Sequence, residues 1–113
     1  MEPKHAIVAI VPCNDLDESQ AFYERLGFKA TAIYEAQGYR ILHDRGGATL
    51  HLTATVPGWV VPDRNPGGLY FYSRDVEALA AGFGVSAHPK PWGLIEFAVS
   101  DPNGMLVRIG WPA

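Results

Sequence analysis

Apolar and polar positions along the chain switch between two periods, and the switches mark the elements. Residues 6–11 form a wholly apolar run rich in Ile and Val, the pattern of a buried strand, and Asn14-Asp15 breaks it. Asp15 is followed three residues later by Glu18, the spacing of a capping box. Leu16, Ser19, Phe22, Tyr23 and Leu26 then recur at helical intervals until Gly27 supplies a stop. Residues 28–34, 39–43 and 48–53 read as three strands, divided by Gln37-Gly38 and by Asp44-Arg45-Gly46-Gly47, both good turn sequences. The first half therefore predicts the order βαβββ.

Residues 55–67 bring prolines, glycines and Trp59 and continue neither period, so they read as a connector. Beyond them the grammar returns. Residues 69–73 form an apolar, aromatic strand, Asp75 is placed to cap a helix, and Val76, Leu79, Ala80 and Phe83 follow at helical spacing. Residues 95–99 and 105–109 flank Asp101-Pro102-Asn103-Gly104, a tight-turn sequence. Pro89 and Pro91 restrict any strand within 85–93 to a short or edge one. Asp15-Leu16 and Asp75-Val76 stand sixty residues apart, and the last strands of the two halves are offset almost equally, which points to two copies of one unit. The expected organisation is one domain over 1–113, with module one at about 5–54, the connector at 55–67 and module two at about 68–111.

Composition narrows the partners. A chain of 113 residues is the size of one domain, and 48% hydrophobic with 19% charged residues is too apolar for a disordered one. Cys13 is alone, so neither an internal disulfide nor a CxxC metal or redox pair is available; a small buried thiol is the expectation. Lys and Arg nowhere form a run and the net charge is −3, which argues against nucleic acid as a partner and is compatible with a cationic ligand. No apolar stretch reaches the roughly 18 residues of a membrane span, and the opening Met-Glu-Pro-Lys-His lacks the build of a signal peptide, so a cytoplasmic location is expected. Ser19, Ser73, Ser86 and Ser100 have no nucleophile-elbow context, and Gly46-Gly47 and Gly67-Gly68 do not lead into helices as phosphate loops do.

Two stretches carry a resemblance. Residues 15–23 (DLDESQAFY) with Leu26-Gly27-Phe28, and the closing Asp101-Pro102-Asn103-Gly104-Met105-Leu106-Val107, resemble the vicinal oxygen chelate superfamily, which includes glyoxalase I, extradiol dioxygenases and bleomycin resistance proteins. The resemblance implies an α+β fold: paired βαβββ modules forming a cupped, mostly antiparallel sheet with the helices on its convex side. It also implies four stations on the cup, which in metal-using members carry His, Glu or Gln. Motif register places them at Val8, His51, Gly68 (or Leu69 if the register slips by one) and Arg108. Only His51 has a side chain suited to a metal, because valine and glycine offer no donor and a guanidinium repels cations. No metal, no cofactor and no catalytic residue are therefore expected. Val60-Val61-Pro62-Asp63, Pro91-Trp92-Gly93 and Glu96-Phe97-Ala98 further resemble stretches of bleomycin resistance proteins. That branch implies a homodimer that binds a bleomycin-like or other aromatic antibiotic in clefts shared by two subunits; a metal-dependent enzyme of the same superfamily is the alternative.

Strand alternation then assigns faces. If the four stations point into the cup, Ile10, Thr49, Thr53, Tyr70, Tyr72 and Leu106 do too, while Leu50, Leu52, Leu69, Phe71, Val107 and Ile109 pack beneath the helices. The candidate ligand-binding residues are Tyr70, Tyr72, His51, Arg108, Trp59 and Trp92. Tyr70 and Tyr72 offer flat aromatic area with hydroxyls, or else pack against a partner subunit. Trp59 and Trp92 lie in Pro- and Gly-rich loops, as stacking surfaces or as loop packing, and Trp111 reads as a C-terminal anchor. His51 is a satisfied polar residue or a ligand contact. Arg108 could hold an acidic ligand group and needs a partner in any case, for which Glu96 is the candidate.

Overall fold

In the computed structural model the described residues are 4–113; the first three residues, part of the chain start read for a leader, lie outside them. The elements run β1 (Ala9–Cys13), α1 (Leu16–Glu24), β2 (Lys29–Tyr34), β3 (Tyr39–His43), β4 (Thr49–Ala54), β5 (Gly68–Tyr72), α2 (Val76–Gly82), β6 (His88–Pro89), β7 (Leu94–Ser100) and β8 (Leu106–Pro112). They build two four-stranded sheets, ordered β1-β4-β3-β2 and β5-β8-β7-β6. In each, the first strand runs parallel to the last and the other pairings are antiparallel, so the two halves repeat one topology. The expected cupped surface is thus divided between two sheets, with β6 the short edge piece that Pro89 dictates.

Helix α1 starts as its sequence demands. Asp15 is extended and its carboxylate accepts the Glu18 N–H at 3.0 Å. Asp75 holds the equivalent place before α2 but makes no such bond: its backbone (φ −88, ψ 18) already approaches the helical region, and the carboxylate reaches Arg45 at 3.5 Å instead. Strand alternation sorts the faces as expected. Leu50, Leu52, Phe71, Val107 and Ile109 are buried with Val11, Cys13, Tyr23, Leu26, Phe28, Leu42 and Phe97 in one core, and Leu69 packs against it. Burial raises the Cys13 thiol pKa, in keeping with an inert core position.

The halves are clasped across that core. Tyr23 Oη donates to Asp101 Oδ2 at 2.6 Å, Asn103 Nδ2 donates to Ser19 Oγ at 3.0 Å, and Asn14 N–H donates to Asn103 Oδ1 at 2.9 Å. The Asp101–Gly104 turn of the second half therefore seats against α1 of the first. Phe28 and Phe71 meet at 4.9 Å and Phe22 and Phe83 at 5.6 Å, adding apolar contact between halves. Arg40 is almost buried beneath α1 and binds Gln20 Oε1 at 2.9 Å, Asp17 at 2.8 Å and Glu35 at 3.6 Å. This is how a structural arginine is held in this protein.

Candidate functional site

Each sheet leaves one face uncovered by a helix. On the first sheet that face carries Ile10, Thr49, His51 and Thr53, with Tyr39 and Ile41 from the neighbouring strand. His51 stands opposite Ile10 and Ile41, and its Nδ1 is joined to Tyr39 Oη at 2.7 Å. The same face carries a second such pair, Thr31 Oγ1 with His43 Nδ1 at 2.7 Å, where the β2–β3 register shifts at Thr31.

On the second sheet the uncovered face is organised around Glu96. This carboxylate is only 3% exposed and receives three side-chain donors: Tyr70 Oη at 2.9 Å and Trp92 Nε1 at 3.3 Å on Oε1, and Arg108 at 3.5 Å on Oε2. Register explains the convergence. Tyr70 lies opposite Arg108 across β5–β8, and Glu96 lies opposite Gly110 across β7–β8. Gly110 is what lets Tyr70 reach across, since any Cβ there would collide with the Tyr70 hydroxyl. Burial, then the hydrogen bond to Glu96, push the Tyr70 phenol pKa up to about 12. Tyr72 continues the aromatic row, its ring centroid 4.8 Å from that of Tyr70.

The candidate residues therefore fall into three places. Tyr70, Tyr72, Trp92 and Arg108 come together on the second sheet. His51 stands on the first with Tyr39, and among the described residues no hydrogen bond joins it to the Glu96 cluster. Trp59, 78% exposed, projects from the connector and lines a small groove with Pro12, Val61 and Arg64. A groove of about 340 Å³ runs where the sheets adjoin, lined by Ala9 and Thr49 on one side and Gly68 and Tyr70 on the other. Trp111 lies at the end of β8 with the Arg74 guanidinium 5.6 Å from its ring. Glu96 as the organising centre, Tyr39 and Gly110 were not singled out from sequence as site residues. The signal for Tyr39 is the β3–β4 register, which places it on the His51 face.

A model of the Glyoxalase/Bleomycin resistance protein/Dioxygenase superfamily matches residues 4–109, almost the whole chain. The chain belongs to this superfamily. Among solved structures, it is similar to a bleomycin-binding protein complexed with bleomycin, at 24% identity over 97% of this chain and 100% of that one, TM-score 0.79. It is similar to a bleomycin resistance determinant encoded on the transposon Tn5, at 25% identity over 96% and 98%, TM-score 0.77. It also resembles a lactoylglutathione lyase from Agrobacterium tumefaciens, at 21% identity over 96% and 95%, TM-score 0.69. No curated protein matches the chain.

Some superfamily members use a divalent metal, and the donor chemistry here does not fit one. Of the four stations, Val8 and Gly68 carry no donor, Arg108 is a cation, and His51 is a single imidazole; no group of three or more His, Cys, Asp or Glu converges among the described residues.

Proposed function

We propose that this superfamily member is a non-enzymatic small-molecule-binding protein that sequesters a bleomycin-like or other aromatic antibiotic, acting in the cytoplasm as a homodimer. The observation that carries the reading is the aromatic and polar cluster of Tyr70, Tyr72, Trp92 and Arg108 around Glu96, on a sheet face with no helix over it. Flat aromatic rings with a few fixed polar groups suit recognition of a planar ligand. The exposed apolar side chains Ile10, Tyr34 and Trp59 favour cover by a second subunit. The likeness to the bleomycin-binding structure supports the ligand class.

The test is titration with metal-free and copper-loaded bleomycin followed by tryptophan fluorescence, because Trp92 is bonded into the cluster. Saturable quenching is expected, and no response at tens of micromolar rejects this ligand. Sedimentation should give twice 12.3 kDa, whereas a 12.3 kDa species at every concentration removes the dimer. The enzyme reading has one observation on its side: Tyr39 orients His51 as outer partners orient metal ligands. Near-stoichiometric nickel, zinc, manganese or iron in protein purified without added metal would favour it over sequestration.

A further inference from the structure

We infer that the open face of the second sheet is an anion subsite, in which Arg108, aligned from below by Glu96, takes the carboxylate of a planar aromatic ligand whose ring lies against Tyr72 and Trp92. The inference rests on the proposal that this face binds the ligand, and it gives that ligand a charge. A net charge of −3 leads one to expect a cation, and the local chemistry points the other way.

Glu96 cannot be the ligand contact. It is almost fully buried, and its oxygens already accept from Tyr70, Trp92 and Arg108. Arg108 is its opposite: the side chain is 48% exposed, and one of its five N–H donors reaches Glu96, at the long distance of 3.5 Å. Arg40 shows what this protein does with an arginine whose task is structural. Arg40 is nearly buried and makes two contacts shorter than 3 Å with acceptors on α1. Arg108 is aimed by Glu96 and not consumed by it.

Position adds to this. β8 is an inner strand, so Arg108 rises from within the open face, between Tyr70 on β5 and Ala98 on β7. Ala98 is small and exposed, which leaves room beside the guanidinium. Trp92 is 58% exposed although its indole N–H is tied to Glu96, so its ring is held in place with a free surface. A planar fork with unused parallel donors matches a carboxylate in two-point contact, while a cationic ligand group would meet the half-exposed positive charge of Arg108.

The test compares three probes that share one ring system, naphthalene-2-carboxylate, naphthalene-2-carboxamide and naphthalen-2-ylmethylammonium, by calorimetry on the full chain, with bleomycin run in parallel. The carboxylate should bind saturably with a dissociation constant of about 1 mM or below, the range for a fragment of this size. It should bind about ten- to a hundredfold tighter than the carboxamide, as a charge-assisted pair requires. The ammonium probe should bind weakest. Arg108→Gln should erase the carboxylate preference and Arg108→Lys should keep part of it; if the glutamine variant does not fold, the lysine variant and the ratio among probes on the unaltered chain still decide. Equal binding of carboxylate and carboxamide, or a preference that survives Arg108→Gln, overturns the inference. Saturable bleomycin binding without any carboxylate preference overturns it while sparing the binding proposal; failure of all four ligands overturns both.

Discussion

Tyr23→Phe tests the clasp that sets the two sheets relative to one another. The Tyr23 side chain is fully buried and its hydroxyl donates to Asp101 Oδ2 at 2.6 Å. Asp101 Oδ1 is already filled by the backbone N–H groups of Asn103 and Met105 at 2.8 and 2.9 Å, and Oδ2 has only a long 3.4 Å contact from Asn103 besides the tyrosine. Removing the hydroxyl keeps the ring, so almost no cavity forms, and the loss is that of a buried hydrogen bond to a carboxylate, about 2 kcal/mol. For a chain of this length that lowers Tm by about 8 °C. The pH dependence is a sharper check. Burial first, and the bond to Asp101 second, raise the Tyr23 pKa far above its ordinary 10.0. A raised folded pKa contributes stability that is complete below pH 10 and declines above it, because only the unfolded chain can ionise there. At pH 11 the unaltered protein should have lost about 1.4 kcal/mol that the phenylalanine variant does not lose, so the gap between them should shrink to about 0.6 kcal/mol. Urea denaturation of both proteins at pH 7 and pH 11 reads this directly. A gap below about 0.5 kcal/mol at pH 7, or one that does not narrow by pH 11, would refute the assignment of Tyr23 as a buried donor.

Three further substitutions have defined outcomes. Gly104→Ala places a side chain at φ +81 against the Pro62 backbone, so it should cost about 3 kcal/mol in urea denaturation, with the connector displaced from the Asp101–Gly104 turn. Gly110→Ala should push the Tyr70 hydroxyl off Glu96; tyrosinate absorbance on alkaline titration should then show this phenol ionising below about 12. Asp15→Ala removes the side-chain cap of α1 and should lower stability by about 1 kcal/mol, readable as a shift in the urea midpoint.

Much of the fold is legible in the sequence because burial alternates cleanly. Strand β3 appears as residues 39–43 in both, and the division between core positions such as Leu52 and Val107 and open ones such as His51 and Arg108 follows from alternation alone. The boundaries that move do so for reasons a single strand does not carry. Residues 6–8 are as apolar as those that follow, yet β1 begins only at Ala9, opposite Leu50 of β4, and it continues through Pro12 because an edge strand can spare an N–H. The missing side-chain cap at Asp75 goes with its near-helical backbone, and its carboxylate turns to Arg45, thirty residues away in the other half. The site divides similarly. Tyr70, Tyr72, His51 and Arg108 are on the sheets where alternation puts them, while contacts such as Tyr39 to His51 and Trp92 to Glu96 depend on register between strands and on the turn before β7.

The internal repeat makes the chemistry of the two faces comparable point by point. His51 faces Ile10 as Arg108 faces Tyr70, so the two occupy one station in successive modules. Their partners are matched as well. Tyr39 lies opposite Thr53, two residues beyond His51, and Glu96 lies opposite Gly110, two residues beyond Arg108. One diagonal across a pair of antiparallel strands therefore carries a Tyr–His hydrogen bond in the first module and a Glu–Arg ion pair in the second. The backbone dictates that a polar pair can form at this diagonal; the sequence decides its charge. The faces are consequently not interchangeable, since one presents an imidazole and the other a half-exposed guanidinium over a buried carboxylate. Under the binding proposal, discrimination among ligands on these faces would follow the side chains at positions 39, 51, 96 and 108 and not the fold they share.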